Sequence, residues 1–390
     1  MTERQRRREG YLARLLRRTF AGWGARLGLA WIALLAVLAA FAPFLANSRP
    51  LLARWADGHW SSPLLAALTP GDVGWLTAFL AGLALSFAHG LRPGRRLAAL
   101  AAVVLVAWGA AQLGLQQRGV VIHELHRERL ASGQYRWALW PPIPYSPRDY
   151  LRDQGDTGLQ PPSRAHWFGT ESNGADVLSR MIHASRIALG IGFVATGIAL
   201  LIGILVGGLM GYFSGVVDII GMRLVEIFEA IPTLFLLLTF VAFFGRSLYI
   251  MMVIIGLTAW PGYARYIRAE FLKLREQDYV QAAVALGLPL RSILFRHMLP
   301  NGVAPVLVAA SFGVASAILA EATLSFLGLG LVDAPSWGQM LNEAVQSSAF
   351  NWWLAIFPGG AIFLTVFAYN LIGDALRDAI DPHLSTEAEP

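Results

Sequence analysis

Eight long apolar segments constrain this chain more than any other feature of its sequence. They run over Ala25–Leu45, Val73–Gly90, Leu97–Leu115, Ile187–Gly211, Arg223–Phe244, Leu248–Tyr263, Val303–Phe326 and Trp352–Gly373. A helix rises about 1.5 Å per residue, so about 20 residues cross a hydrocarbon core about 30 Å thick. Only 14% of the 390 residues are charged, whereas soluble domains carry about 25%. The sequence therefore predicts an all-α polytopic membrane protein with about eight transmembrane helices, in which the short segment Leu248–Tyr263 must extend at its ends.

Positive charges cluster in three places, and these predict the orientation of the helices. The first cluster is the basic N-terminus, residues 1–24, and the second is a connector with Arg92, Arg95 and Arg96. The third lies between the sixth and seventh segments and contains Arg265, Arg268, Lys273, Arg275, Arg291 and Arg296. Eight spans place all three clusters on one side, which the positive-inside rule identifies as the cytoplasm. Both termini are then expected inside, and residues 46–72 and 116–183 outside.

Two features of the N-terminal half have alternative explanations. Residues 25–45 follow a basic block, as a signal peptide does, but they exceed the usual signal core of about 7–15 residues, so we expect a retained transmembrane helix. His123-Glu124-Leu125-His126 invites a metal site, but its histidines are three apart rather than four as in zinc proteases. A charged outer helix, His123–Arg129, is the better interpretation. It lies in an outer segment rich in proline and tryptophan, which predicts a small folded or interfacial cap.

Glycines at 203, 207, 211 and 215 recur every four residues in and just after the fourth apolar segment. On a helix this spacing places them on one face, where the missing side chains let another backbone approach closely. The alternative is that they are scattered by a glycine-rich composition. The spacing favours a tight helix interface.

The stretch from Arg275 to Asn301 predicts two short helices on the cytoplasmic side. Small and apolar residues at helical spacing form one face of the first helix: Tyr279, Ala282, Ala283 and Leu286. Gly287 is expected to end this helix, Pro289 to open the next, and Pro300-Asn301 to close it. Such a small-residue knob suits docking into a groove of another protein. An ordinary amphipathic connector is the alternative.

This stretch resembles the EAA loop of ABC importer permeases, in which a coupling helix inserts into the nucleotide-binding subunit. The matching positions are Gln281, Ala282, Ala283, Gly287, His297, Leu299 and Pro300. Gln281 replaces the glutamate of that pattern and His297 its isoleucine. Three further stretches are similar to the dipeptide and oligopeptide branch, namely Trp167–Arg180, Glu321–Gly330 and Asn370–Pro382. Residues 46–55 and 161–164 resemble the microcin C-type permease of that branch most.

The resemblance implies a type I ABC importer transmembrane domain over residues 184–382, with a cytoplasmic coupling loop at about 264–300 and a tail at 383–390. Six family helices, the first at residues 25–45, are then joined by an inserted hairpin at 73–115. Such a permease moves peptides or peptide-like compounds across the bacterial inner membrane by alternating access. The implied coupling residues are Tyr279, Gln281, Ala282, Ala283, Gly287, Arg291, Leu299 and Pro300. The implied partners are a second homologous permease, two ATP-binding subunits and an extracytoplasmic solute-binding protein.

The chain itself is expected to be a transport subunit rather than an enzyme, with no catalytic residue, cofactor or metal. It has no Gly-x-x-x-x-Gly-Lys-Ser/Thr stretch, the usual phosphate cradle of ATPases. The chain also has no cysteine, which excludes thiolate metal sites. We therefore expect ATP and Mg to be bound by the partner ATPase subunits.

Three acids within apolar segments are candidates for the translocation path or its gate, because carboxylates are costly in a membrane. They are Glu226, Glu229 and Glu321. Alternatively, Glu226 and Glu229 lie at the cytoplasmic interface and Glu321 stabilises helix packing. An ion-coupled secondary transporter is the main functional alternative, and it would need ionisable groups at mid-membrane, where this chain has few. An outer-face membrane enzyme would need a convergent constellation of acids, bases or metal ligands in residues 116–183, which we do not find.

The predicted topology can be tested by cysteine labelling, because the chain has no native cysteine. Ser132→Cys lies in the expected outer segment and Ser292→Cys in the expected cytoplasmic loop. An impermeant thiol reagent added to intact cells should label the first and not the second. Labelling of Ser292→Cys in intact cells, with Ser132→Cys protected, would contradict the orientation.

Overall fold

The computed structural model describes residues 11–88, 93–115, 122–155, 157–331, 334–347 and 349–380. Within these ranges, seven helices are long and apolar enough to cross a membrane, or eight if one bent pair is counted as a span. This confirms the predicted all-α polytopic membrane fold. Arg92 of the second basic cluster and the tail at 383–390 lie outside the described residues.

The helices are named here in chain order. The N-terminal half contains α1 (Tyr11–Thr19), α2 (Trp23–Leu45), α3 (Pro70–Phe87), α4 (Pro93–Gly114) and α5 (Leu125–Ala131). The C-terminal half contains α6 (Val177–Phe213), α7 (Gly215–Ala230), α8 (Thr233–Phe244), α9 (Leu248–Arg275), α10 (Asp278–Ala285), α11 (Leu299–Leu324), α12 (Trp337–Gln346) and α13 (Trp352–Ile380). Short helical turns lie at Leu65–Ala67, Arg152–Gln154, Leu290–Ser292, Ile293–Met298 and Ser325–Leu329. As expected for the shortest predicted span, α9 extends the apolar run Leu248–Tyr263 by 12 residues at its C-terminal end, to Arg275.

One predicted span, Arg223–Phe244, is wrong as a single straight helix. The chain breaks between α7 and α8, whose axes differ by 81°. Pro232 lies at this break, and Ile231 before it has the extended conformation. Proline lacks an N–H donor and disfavours the helical conformation of the preceding residue, so the helix ends there.

Contacts divide the chain into two compact units, one of which contains residues 33–187 and 333–360. In this unit a small antiparallel sheet has the order β2-β1-β3, with β1 at Leu52–Trp55, β2 at Trp60–Ser61 and β3 at Tyr135–Leu139. The two segments that the sequence predicts to face outward, one on each side of α3 and α4, therefore meet in one sheet. This confirms the predicted folded cap.

The predicted inserted hairpin is formed by α3 and α4, which pack against each other. Only 6% of each apolar window is buried, so the pair presents its side chains outward. Its first end is fixed by Thr69, which forms a reciprocal capping box with Asp72, and Asp72 also pairs with Arg186 of α6. The hairpin is thus anchored at its N-terminal end.

The second unit contains residues 1–32, 188–332 and 361–390, and its core is a close contact between α6 and α9. A Cβ added at Gly207 would collide with the carbonyl oxygen of Ala264, and one at Gly211 would lie 2.7 Å from that of Arg268. Gly203 meets Tyr263 in the same way. The predicted glycine interface is therefore present at three positions. Gly215 is not part of it, since it begins α7 with a φ of +54° and open space around it.

Replacing Gly207 with alanine should destabilise the protein although alanine favours helices. Alanine in a helix is better than glycine by about 1 kcal/mol, but overpacking costs about 1–3 kcal/mol. Gly197→Ala on the same helix is the matched control, because no atom lies within 4 Å of its added Cβ. We expect Gly207→Ala to lower the unfolding temperature of the detergent-purified protein and Gly197→Ala to leave it unchanged or raise it. Equal stability of the two variants would contradict the glycine contact.

Candidate functional site

The predicted coupling segment forms a short helix, α10, that ends in a tight turn. The Gly287 backbone has a φ of +69°, a conformation that glycine adopts without strain. The N–H of Leu288 donates to the carbonyl of Ala283 at 3.2 Å, and that of Gly287 to Val284 at 2.9 Å. At the other end, the Gln281 amide donates to the Arg275 carbonyl at 2.8 Å. Gln281 thus fixes the entry to α10 without a charge.

Of the residues expected to form the docking knob, some are buried and others are exposed. Ala283 is 4% exposed and Val280 is fully buried. Both lie in a core cluster that also includes Ile267, Phe271, Ile293, Leu294, Met298 and Val306. On the other side Tyr279 and Leu286 are 40% and 79% exposed, and Ala282 is also exposed. Ala283 therefore faces inward as a buried anchor, which corrects its placement on the outer face.

The chain after α10 departs from the predicted second helix. Pro289 has the extended conformation and precedes the turn Leu290–Ser292 rather than lying within it. A π-helical turn, Ile293–Met298, follows and continues directly into α11. Pro300 is thus in the first turn of α11 instead of closing the previous helix, because proline needs no N–H partner there. The His297 ring bonds to the Ser292 carbonyl at 2.9 Å, and Arg291 is exposed.

The acids predicted for the path are engaged elsewhere. Glu229 of α7 pairs with Arg265 of α9, and Glu226 pairs with Arg223 one turn away. Asp218 at the start of α7 pairs with Arg268 through two nitrogens, one of them at 2.6 Å. The pairs of Glu229 and Asp218 tie α7 to α9. The arginine partners of Glu226 and Glu229 favour the interfacial interpretation of both glutamates.

Glu321 has a different setting, in the interior of the same unit. Its side chain is 2% exposed and accepts a hydrogen bond of 2.6 Å from the Ser325 hydroxyl. Ser325 begins the π-helical turn that follows α11. Glu321 therefore stabilises the end of α11 and is closed off from solvent.

Two cavities in the same unit were not predicted from the sequence. One has a volume of about 330 Å³ and lies among α6, α8, α9 and α11. The other, of about 480 Å³, lies among α9, α11 and α13. None of the three predicted path acids lines either cavity. The only sequence signal for them is the recurrence of small residues every three or four positions in α11.

In the cap, the structure brings three acids together beside an arginine. Carboxylate oxygens of Glu124, Asp149 and Asp153 lie within 4.8 Å of one another. Arg127 donates to Asp149 and Asp153 at 2.5 and 2.6 Å, and its hydrogen bonds hold the pKa of Asp153 below its usual range. Arg127 therefore bridges two of the three acids and holds the Arg152–Gln154 turn against α5.

The predicted charged helix His123–Arg129 begins two residues later, as α5. His126 is only 7% exposed, stacks on Tyr135 of β3 and bonds to its hydroxyl at 2.9 Å. Burial and the neighbouring Arg129 lower the pKa of His126 to about 4. His126 is thus a neutral packing residue that holds α5 against the sheet.

The motif Trp167–Arg180 forms a buried polar turn before α6. His166 bonds to Asp176 at 2.9 Å, and Arg180 pairs with Glu171 at 2.8 Å and Glu343 of α12 at 3.2 Å. Complete burial raises the pKa of Glu171 well above its usual range. One arginine thus joins two acids and fixes α12 to this turn.

Comparison with known proteins gives a consistent set of relatives. Residues 203–386 match the family "binding-protein-dependent transport system inner membrane component". The dipeptide transport system permease protein of Alkalihalophilus pseudofirmus is 38% identical over 61% of this chain and 78% of its own. The glutathione transport system permease protein of Pectobacterium atrosepticum is 39% identical over 63% and 81%. A solved inward-facing methionine ABC transporter chain aligns with 52% of this chain and 98% of its own at a TM-score of 0.44 and 20% identity.

The pKa of His126 predicts that acid loosens the cap. An unfolded histidine titrates near pH 6.5. Between about pH 6.5 and 4 the unfolded cap therefore binds more protons than the folded cap, so the free energy of unfolding decreases as the pH is lowered. After allowance for partial solvent screening, the loss is on the order of 1 kcal/mol. Proteinase K should cleave the cap several-fold faster at the acid end of this range, and His126→Gln should weaken that dependence. Burial also lowers the pKa of His123, so part of the dependence should remain. His59→Gln, which changes an exposed histidine of the same cap, should leave the dependence at its wild-type size, and a dependence that is just as large in His126→Gln would refute the assignment.

Proposed function

Because this chain belongs to the family of inner-membrane components of binding-protein-dependent transport systems, we propose that it is the permease subunit of an ATP-driven importer of peptides or peptide-like compounds. Its relatives are permease proteins of dipeptide, oligopeptide and glutathione transport systems. They confirm the predicted resemblance to the dipeptide and oligopeptide branch of ABC permeases. The chain is a transport subunit in the inner membrane and not an enzyme.

The observation that carries the coupling role is the arrangement of α10. Its inner side, Val280 and Ala283, is packed into the core below α9 and α11, while its outer side presents Tyr279, Ala282 and Leu286. A short helix with a rigid base and an exposed apolar side suits insertion into a groove of a partner. We assign this side to the ATPase subunit, with Gln281, Gly287, Arg291, Leu299 and Pro300 shaping the segment around it.

We infer the remaining partners and the orientation from the resemblance to ABC importer permeases. ATP and Mg are bound by two ATPase subunits on the cytoplasmic side, where α10 and both termini of the chain lie. A second homologous permease completes the path, and an extracytoplasmic solute-binding protein delivers the peptide. Closure of the ATPase dimer moves the two coupling helices together and opens the path outward. The closer resemblance to microcin C-type permeases, seen at residues 46–55 and 161–164, stays a prediction.

The ion-coupled alternative has no support among the relatives. Such a transporter needs ionisable groups that gain and lose partners near the bilayer midplane. Here Glu226 and Glu229 are paired with arginines, and Glu321 is closed off by Ser325.

A charge on the exposed side of α10 should break docking without unfolding the permease. We expect Leu286→Arg to insert normally but to reduce co-purification of the ATPase subunits and ATP-driven uptake at least tenfold, since central interface residues are worth about 2 kcal/mol or more. Ser132→Arg adds the same charge on the exposed outer cap and should leave both intact.

Ala283→Arg provides an internal comparison, because it places the charge in the core. It should lower the amount of folded permease, whereas Leu286→Arg should not. Normal ATPase binding and uptake by Leu286→Arg would exclude α10 as the coupling helix.

A further inference from the structure

The two cavities of the second unit are neighbours. Tyr266 of α9 and Ala309 and Phe312 of α11 line both. The larger side chains, Tyr266 and Phe312, lie at the boundary. The two adjoining cavities are called the groove here, and the two aromatic rings lie at the boundary between them.

The groove follows one stripe along each of two helices. On α9 the lining residues include Thr258, Gly262, Tyr266, Glu270 and Lys273, each three or four positions apart. This is the spacing of a single helix face. On α11 the stripe consists mainly of small residues, Ala309, Gly313, Ser316, Ala317 and Ala320, and ends at Pro305 and Val308. Small side chains on one helix leave the space that the groove occupies.

The chemistry of the groove changes along its length. The 330 Å³ part has no charged residue among its described lining residues, and hydroxyl groups come from Thr196, Thr233, Thr258 and Ser316. The 480 Å³ part contains Glu270, Lys273 and Arg377. Within the residues that the structure describes, these three form no salt bridge with one another or with a neighbour. This end lies next to α10, because Lys273 precedes α10 by five residues.

We propose that this groove is the wall that the chain contributes to the translocation path, that Tyr266 and Phe312 form its narrow point, and that Glu270, Lys273 and Arg377 form an exit vestibule for the charged ends of a peptide. This inference rests on the proposed importer function and adds to it the path residues and the substrate groups they meet.

The groove has the complementary groups that a small peptide needs. A peptide with free ends has a carboxylate and an ammonium group, which match the two cations and the one acid of the vestibule. Its backbone amides can exchange hydrogen bonds with the hydroxyls of the neutral part, which offer both donors and acceptors. Each part has a volume in the range of small-molecule sites, about 300–1,000 Å³. Because the vestibule is partly exposed, the ion pairs that its side chains form with the ends of the peptide are weak. Weak pairs favour release of the peptide into the cytoplasm.

The first test fills the narrow point in the complete importer, reconstituted in liposomes with its partner subunits. Ala309→Phe should abolish ATP-driven uptake of a tripeptide while the ATPase and permease partners still co-purify. Ser311→Phe is the matched control, because Ser311 lies outside the groove lining and bonds to its own helix at Leu307. It should retain uptake.

Two results of this test would overturn the proposal. If Ala309→Phe alone loses the partner permease, the groove is a packing surface between permeases and not an open path. If Ala309→Phe assembles and transports normally, the groove is outside the path. The importer function itself is tested separately, by uptake and ATPase binding in the wild-type complex.

The second test concerns the vestibule, using a benzophenone-containing tripeptide and the purified complex without ATP. Light should attach the peptide to α9 or α11 around Tyr266 and Phe312. The double variant Lys273→Gln, Arg377→Gln should reduce labelling by the free acid at least fivefold and labelling by the C-terminal amide much less. Arg223→Gln, which removes an exposed cation outside the groove, should change neither.

A loss that is equal for the acid and the amide would mean that the two cations act on structure and not on the peptide carboxylate. Unchanged labelling in the double variant would equally exclude the vestibule. Either result overturns this assignment, while uptake by the wild-type complex would still support the importer function.

Discussion

The contact between α6 and α9 is the interaction on which the rest of the permease unit depends. In a bilayer, lipid is as apolar as the side chains, so helices associate through close packing and hydrogen bonds. Gly203, Gly207 and Gly211 allow the backbones to touch. This contact places the next turns of α9, with Ile267 and Phe271, over the coupling helix. It also leaves the opposite stripe of α9, with Tyr266 and Glu270, facing the groove.

Hydropathy could predict the helices because each must satisfy its own backbone in lipid. The glycine spacing predicted the α6 contact because glycines four residues apart share one helix face and let another backbone approach. The bend at Pro232 was missed, because apolar residues continue on both sides of it. Hydropathy gives no information about a change in the direction of the helix axis. The extension of α9 beyond Tyr263 was predicted only because the apolar segment was too short to cross the bilayer. The added turns pack Ile267 and Phe271 into the core, a tertiary contact that hydropathy does not contain.

The coupling segment could be located from sequence, because its glycine and prolines lie at fixed offsets. Its inner and outer sides could not be separated, since Ala282 and Ala283 are identical in chemistry and only tertiary packing buries the second. The groove was not predicted for a related reason. Carboxylates stand out in an apolar sequence, so Glu226 and Glu229 drew attention. The uncharged part of the groove is lined by residues whose common feature is the space they leave, and the charges of its other part, Glu270, Lys273 and Arg377, lie in or beside cytoplasmic basic clusters of the sequence or near its C-terminus.

The π-helical turn at Ile293–Met298 has a mechanical consequence. This turn lies beside the coupling helix α10 and joins α11 without an intervening loop. A movement of the turn is therefore passed directly to α11, the 26-residue helix that lines the groove. At about 1.5 Å per residue, α11 is a stiff arm about 39 Å long. A tilt of about 5° at its base would move its far end by about 3 Å. A small angular displacement at one end of α11 thus becomes a larger displacement along the residues that line the groove.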